Sequence, residues 1–419
     1  MHLVAKETER PAGAPSYEDV CLRYGWIRKN TFPTVKDAKL AIKAFHATRL
    51  DWFYTGSHTM QKGAKFVTPE AKSFIDWCHS QKMKICGTIN SNTTDKSWAY
   101  KKHHLNRYVG EVKKAEFREM VIEWGKAQID AGVDTMVCDD IFKYDKIRQD
   151  LWNKDVLAKI IAHKPGFTMA GNNGSSISTE YVKRFAVAYH YSDNNFIPTP
   201  GQWWKASKDH RSHKSAFLLQ PNRKRTKAQL RTMIALAYAN GAHLIVPWDA
   251  YIHGGKRLFS SPTDYADLYG FLRGLGQAGY LKSYEDAAVG GYNLQENRYD
   301  TLQPISIEGG SGKLSAFARA IPKNSEAAIV VHLVESGKSK GSKLKLNNST
   351  APQLKSNKLK CTLLMPTNYH KATHEAASEK QDFSTLIQAQ EIKPTIEEGH
   401  LSFDLPPLKP YAVLILTPQ

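Results

Sequence analysis

Acids and amides recur where apolar runs end. Asp139 and Asp140 close a run that begins at Val133, Asp193 closes one that begins at Ala186, and Asp249 closes one that begins at Ala242. Asn90, the pair Asn172 and Asn173, and Gln220 with Asn222 close three others. Asp51 lies inside a further run, which leads into Trp52-Phe53-Tyr54-Thr55-Gly56-Ser57-His58. Two carboxyls facing one opening can split a glycosidic bond, because one protonates the leaving oxygen while the other attacks or stabilises the anomeric carbon. Asp139, Asp193 and Asp249 are the candidates for that work, and His190, beside Asp193, is an alternative proton donor. Asn90, Asp140, Asn172, Asn173 and Gln220 would hold hydroxyls. The competing reading takes these acids and amides as loop formers and Asp140 as a helix N-cap.

Aromatic side chains follow the same runs. Tyr54, Trp98, Tyr191, Trp203, Trp204 and Trp248 together offer faces on which a sugar ring can stack, although each taken alone is better explained by packing. His58, His103, His104, His190 and His253 fall in the same loops, but neither HxH nor HExxH supports a metal. The five cysteines are odd in number and scattered, without CxxC pairs, and read as core thiols.

Eight short apolar runs alternate with helical patterns over the first 282 residues: Cys21–Ile27, Arg49–Thr55, Met83–Asn90, Val133–Asp140, Phe167–Asn173, Ala186–Asp193, Ser215–Asn222 and Ala242–Asp249. Helical spacing is clearest over Ala115–Ala131 and Lys227–Asn240, which Gly132 and Gly241 terminate. The expectation is a (β/α)8 barrel over residues 1–282, whose βα loops would bring the acids to one mouth. From residue 283 to 419 short alternating strands with no long helix predict an antiparallel β-sandwich. No GxGxxG or Walker loop follows the first strand, so no nucleotide cofactor is expected, nor any other. No apolar run approaches the roughly 18 residues of a membrane span. A membrane partner is not expected, and the oligomeric state is left open.

The 58 basic residues exceed the 40 acidic ones, and the excess is confined to the first part, where 43 basic face 26 acidic residues. Its densest stretch runs from Lys205 to Arg231. There Arg223 and Arg225 follow a strand end, as Lys256 and Arg257 follow the eighth, and these four are candidates for meeting acidic groups. A solvated surface explains such charge blandly, whereas a cationic field would draw a polyanion. Nucleic acid is one possibility, though no recognised motif for it occurs. A sulfated or carboxylated polysaccharide fits both the charge and the aromatics.

The segment Gly132-Val133-Asp134-Thr135-Met136-Val137-Cys138-Asp139-Asp140 resembles the fourth-strand motif of barrel glycoside hydrolases acting on α-linked sugars, including α-galactosidases and α-amylases. In them Gly-x-Asp is followed five residues later by the nucleophile, which the resemblance puts at Asp139. In the α-galactosidase-like clan the acid/base follows the sixth strand, the place of Asp193. The α-amylase pattern departs, since it requires Glu after the fifth strand, where Asn172 and Asn173 stand. Leu405–Leu414 is similar to the tail domains of such enzymes. Charge and layout resemble bacterial endo-fucanases, which cut sulfated algal polysaccharides and some of which use His as acid/base, keeping His190 open. The resemblance implies a retaining, endo-acting hydrolase, secreted or periplasmic, with its signal peptide removed. The rival from another class is a non-catalytic protein that binds sulfated glycan or nucleic acid.

Overall fold

Parallel pairing runs unbroken around eight strands in a computed structural model of the chain, and closes on itself. It describes residues 15–23, 35–57, 59–104, 107–139, 144–173, 187–192, 216–219, 226–241, 244–247, 252–253, 256–257, 262–284, 288–292, 305–308, 313–321, 324–337, 341–347, 352–355, 358–408 and 410–419. In chain order the strands up to the end of the barrel are β1 (Cys21–Arg23), β2 (Arg49–Phe53), β3 (Lys84–Asn90), β4 (Asn92–Thr93), β5 (Ala99–His104), β6 (Arg107–Gly110), β7 (Thr135–Asp139), β8 (Thr168–Asn173), β9 (Val187–Ser192), β10 (Ala216–Leu219) and β11 (Leu244–Pro247). The barrel uses β1, β2, β3, β7, β8, β9, β10 and β11, and β11 pairs back onto β1. The remaining three form a small antiparallel sheet, β4-β6-β5, on the rim directly after β3.

Helices pack outside. They are α1 (Val35–Ala44), α2 (Pro69–Ser80), α3 (Ala115–Asp130), α4 (Lys146–Leu151, continued by a π-turn Trp152–Leu157 and a last turn Ala158–Ile161), α5 (Lys227–Ala239) and α6 (Ala266–Gln277). Local chemistry sets their ends. Thr226 and Gln229 make a reciprocal capping box at the start of α5. At the end of α3, Gly132 takes a left-handed φ of 103°, so that Val133 N–H donates to the Gln128 carbonyl and the free helix end is satisfied.

Two antiparallel sheets follow. After a separate two-stranded ribbon, β12 (Ile252–His253) and β13 (Lys256–Arg257), their strands are β14 (Ala288–Tyr292), β15 (Ile305–Glu308), β16 (Leu314–Ala320), β17 (Ile329–Glu335), β18 (Ser342–Asn347), β19 (Leu359–Pro366), β20 (Ile387–Glu391), β21 (Thr395–Glu397), β22 (His400–Leu405) and β23 (Tyr411–Pro418). One sheet has the order β14-β16-β17-β23-β19-β20, the other β15-β18-β22-β21. Side-chain alternation explains the layering. Ile329, Val331, Leu333, Ala412, Leu414 and Leu416 meet the smaller sheet, while Val330, Val334, Tyr411, Val413 and Ile415 join the core of the barrel and its helices. The larger sheet is therefore buried on both faces. A helix absent from the sequence expectation, α7 (Lys371–Lys380), is inserted between β19 and β20 and contacts α1.

Candidate active site

Alternation decides which barrel side chains face the axis. Leu22, Leu50, Ile85, Ile89, Met136, Cys138 and Met169 belong to the core between strands and helices. Their neighbours Cys21, Arg49, Asp51, Cys86, Thr88, Asn90, Thr135, Val137 and Asp139 therefore turn inward. The lower part of this lining holds a buried ion pair, Arg49 Nε to Asp51 Oδ1 at 2.9 Å, with exposures of 1% and 0%. Burial, and next the Asp51 charge, push the Cys21 thiol well above its ordinary pKa. Asp51 lies about four residues below the end of β3, or roughly 13 Å along the strand, so it belongs to the barrel's interior support and not to the mouth.

At the C-terminal rim the register gathers a polar layer. Asp139, the last residue of β7 and half-buried, pairs with Asn90, the last residue of β3 and buried. Cys138 pairs with Gly171, which sets Asn172 next in line beside Asp139. Asn172 pairs in turn with Tyr189, and Asn173 with His190. The Asn90 side-chain Oδ1 accepts from the Asn92 backbone N–H at 2.9 Å, which fixes the orientation of its amide.

Upright walls form around this layer. The β2–α2 loop is closed by Ser57 N–H donating to the Lys65 carbonyl and Thr55 Oγ1 to that of Phe66. Gly56 is required there, since a Cβ would lie 2.2 Å from the Lys65 carbonyl oxygen. Tyr54, half-buried, stands at its root. The β4-β6-β5 sheet makes the next wall, with Lys101 and Lys102 exposed on it. Arg148, at the start of α4, locks this wall to the β7 side. Its guanidinium bonds both Glu111 oxygens (3.0 and 2.7 Å) and Asp145, and stacks 3.8 Å over the Tyr100 ring. Burial alone would raise the Glu111 pKa, but the Arg148 hydrogen bonds and charge outweigh it and hold the carboxyl below its usual value. Tyr144 Oη donates to the Gly110 carbonyl at 2.7 Å, completing the join.

Of the residues singled out from the sequence, Asn90 and Asp139 come together and Tyr54 stands near them. His190, Asn172, Asn173 and Tyr191 occupy the expected strand ends by register, and Lys256 and Arg257 lie on the ribbon that follows β11. Asp193, Asp249, Asp140, His58, Trp203, Trp204, Gln220, Arg223, Arg225 and Trp248 lie outside the described residues. Trp98 departs from expectation. It is 2% exposed, tilted against Phe117, with its indole N–H donating to Glu116 at 3.3 Å. No face is left for a sugar, and the ring instead anchors the rim sheet to α3. Sequence reasoning missed the Glu111–Arg148 clasp and the rim sheet itself. Among the described residues no cluster of three or more His, Cys, Asp or Glu is placed to hold a metal, and no helix is long and apolar enough to cross a membrane.

No protein-family model and no curated protein sequence matches the chain. Solved structures do. An α-amylase from H. orenii superposes with a TM-score of 0.56 at 12% identity, covering 98% of this chain and 100% of that one. A debranching enzyme from Nostoc punctiforme gives 0.57 at 12% identity over 96% and 98%. An α-L-fucosidase isoenzyme from Paenibacillus thiaminolyticus gives 0.58 at 9% identity over 97% and 100%. At such identities the likeness is one of fold, and it extends over the barrel and the C-terminal β region together.

Proposed function

We propose that the protein hydrolyses α-glycosidic bonds inside an acidic polysaccharide, sulfated or carboxylated. Residues 1–282 would act as the catalytic barrel and 283–419 as its tail. The observation that carries this reading is Asp139: a half-buried carboxylate ending the fourth barrel strand, in register with a buried amide at the mouth. The fold neighbours support it, being glycosidases that include an α-amylase and an α-L-fucosidase.

In this proposal Asp139 stays ionised and attacks the anomeric carbon, while the Asn90 NH2 steadies a substrate hydroxyl or the carboxylate itself. Asp193 protonates the leaving oxygen and then deprotonates the water that releases the glycosyl-enzyme, which returns the original anomeric configuration. His190 and Asp249 are the alternative proton donors. A carboxyl separation of about 5 to 5.5 Å goes with this retaining route, and about 6.5 to 9.5 Å with inversion. The acidic character of the substrate rests on the excess of 43 basic over 26 acidic residues in the first part and on Lys101 and Lys102 at the rim. Such a substrate is met outside the cytoplasm, so a secreted or periplasmic setting belongs to the same proposal.

The test is a panel of sulfated fucan, sulfated galactan, polyuronate and neutral glucan, with product sizing. A rapid fall in chain length on acidic polymers, weakened by added salt as charge attraction is screened, is expected. Hydrolysis of neutral glucan alone contradicts the charge argument, and tight binding without cleavage of any polymer favours a binding protein instead.

A further inference from the structure

A second cavity lies away from the mouth. It occupies about 730 Å3 between α1, the end of α6 and α7, and its wall includes Thr48 and Lys84, which precede and begin barrel strands and so mark the opposite, N-terminal face. That volume is within the usual range of small-molecule sites.

Two buried nitrogens on its wall lack hydrogen-bond partners. The Arg273 guanidinium lies 4.7 Å over the Phe383 ring, and its Nε is buried with no hydrogen-bond partner. The charges of Asp19 and Glu18 reach Arg273, yet among the described residues no carboxylate comes within ion-pair distance of it. The other belongs to His374, 3% exposed, whose Nε2 is also buried and unpartnered. Its Nδ1 lies 2.8 Å from His46 Nε2, and His46 Nδ1 lies 2.8 Å from Ser378 Oγ. When the Ser378 hydroxyl donates to His46 and His46 donates to His374, the last N–H of the relay, at His374 Nε2, has no acceptor.

The relay is held at a cost. His46 sits at the end of α1 with φ of 53°, a left-handed conformation that a residue with a Cβ adopts unwillingly. Gly270 on α6 makes room, because a Cβ there would lie 3.1 Å from His374 Cε1 and 3.4 Å from His46 Nε2. Burial keeps both histidines neutral: His46 is pushed down to about 3, with the charges of His374 and Arg273 adding to the effect, and His374 is also lowered, chiefly by burial. Arg273 then supplies a fixed positive charge that acts on the relay. A half-buried guanidinium with no ion-pair partner and a buried, unpartnered Nε, beside a buried imidazole nitrogen with no partner of its own, is an arrangement that destabilises the empty protein. Both groups call for the same partner.

We propose that this cavity binds a small organic oxyanion, a carboxylate or a sulfate ester, with Arg273 as its charge partner and His374 Nε2–H as its second donor. The proposal is independent of the chemistry assigned to the mouth.

Titration calorimetry of the full chain with glucuronate, inorganic sulfate and glucose tests it. Glucuronate or sulfate should bind at one site per chain and glucose should not, the choice between the two anions separating carboxylate from sulfate recognition. Arg273→Met, which keeps an apolar stem over Phe383, should weaken that binding by at least about tenfold, the loss of a charge-assisted hydrogen bond. Its melting temperature without ligand should equal or exceed that of the parent. Arg273→Lys, retaining charge but not the planar fork, should lie between. Absence of saturable binding by both anions, binding by Arg273→Met as tight as the parent's, or a lowered melting temperature of ligand-free Arg273→Met would each overturn the proposal.

Discussion

Replacing Gln128 by Leu should damage the strand that carries Asn90. Gln128 is wholly buried on α3, and its side chain accepts from Thr88 N–H at 3.3 Å and donates to the Thr88 carbonyl at 3.0 Å. The register of β2 against β3 slips between Leu50 and Phe53, which pair with Ile85 and Gly87, and one residue further along β3 Gln128 bonds both backbone groups of Thr88. Leu would fill a similar volume but leave a buried amide and a buried carbonyl unpaired. Each such group costs about 1 to 3 kcal/mol, the longer bond at the lower end, so the loss should total about 2 to 4 kcal/mol. Little relief is available, because a Cβ on the adjacent Gly87 would already stand 2.5 Å from Gln128 Oε1. Urea unfolding should register the loss, and native hydrogen exchange at the Thr88 amide should accelerate by at least ~30-fold. An unfolding midpoint within error of the parent, with Thr88 exchange unchanged, would refute the idea that α3 holds β3 through this side chain.

The rim and the barrel base yield two further expectations. Arg148→Met removes the clasp on Glu111 and Asp145 and leaves Glu111 largely buried without its cation, at about 2 to 3 kcal/mol. Limited proteolysis should then cut residues 99–110 faster and KM should rise, whereas parent-like proteolysis would show that the wall stands without Arg148. Stability should also fall in mild acid through His46. Burial pushes its folded pKa down to about 3 from the ordinary 6.5, so between those values the unfolded chain binds the extra proton. Its contribution is therefore intact above pH ~6.5 and eroded as the pH falls, by about 2 kcal/mol at pH ~5. Melting curves from pH ~7.5 to ~5 should drop more steeply for the parent than for His46→Gln, and equal slopes would contradict this.

The repeated unit was legible because strand and helix periods differ and glycine marks the stops: the helices at Ala115–Asp130 and Lys227–Ala239 end within a residue of their expected bounds. The rim sheet was not. Tyr100-Lys101-Lys102-His103-His104 carries no apolar alternation, and its pairing depends on distant groups, Arg148 on Glu111 and Tyr144 on Gly110. Helix α7 escaped for a related reason, since only His374 and Ala377 of its ten residues are buried, and its Ala, Glu and Lys content was the available signal. Arg49 and Asp51 stand two apart in a strand, hence on one face, yet their pairing inside the barrel emerged only in the structure. Trp98 shows the opposite limit. Residue type suggested a sugar platform, but its exposure was decided by Phe117 and Glu116, some twenty residues on.

The proposed chemistry at the mouth depends on the Asp139 carboxylate. Asp139→Asn keeps the shape and the Asn90 pairing while removing the charge, so the most direct measurement is its turnover beside its affinity on whichever acidic polysaccharide the parent cleaves. The kcat should fall by at least ~10³-fold while binding changes only a few-fold. Turnover within tenfold of the parent's would contradict it.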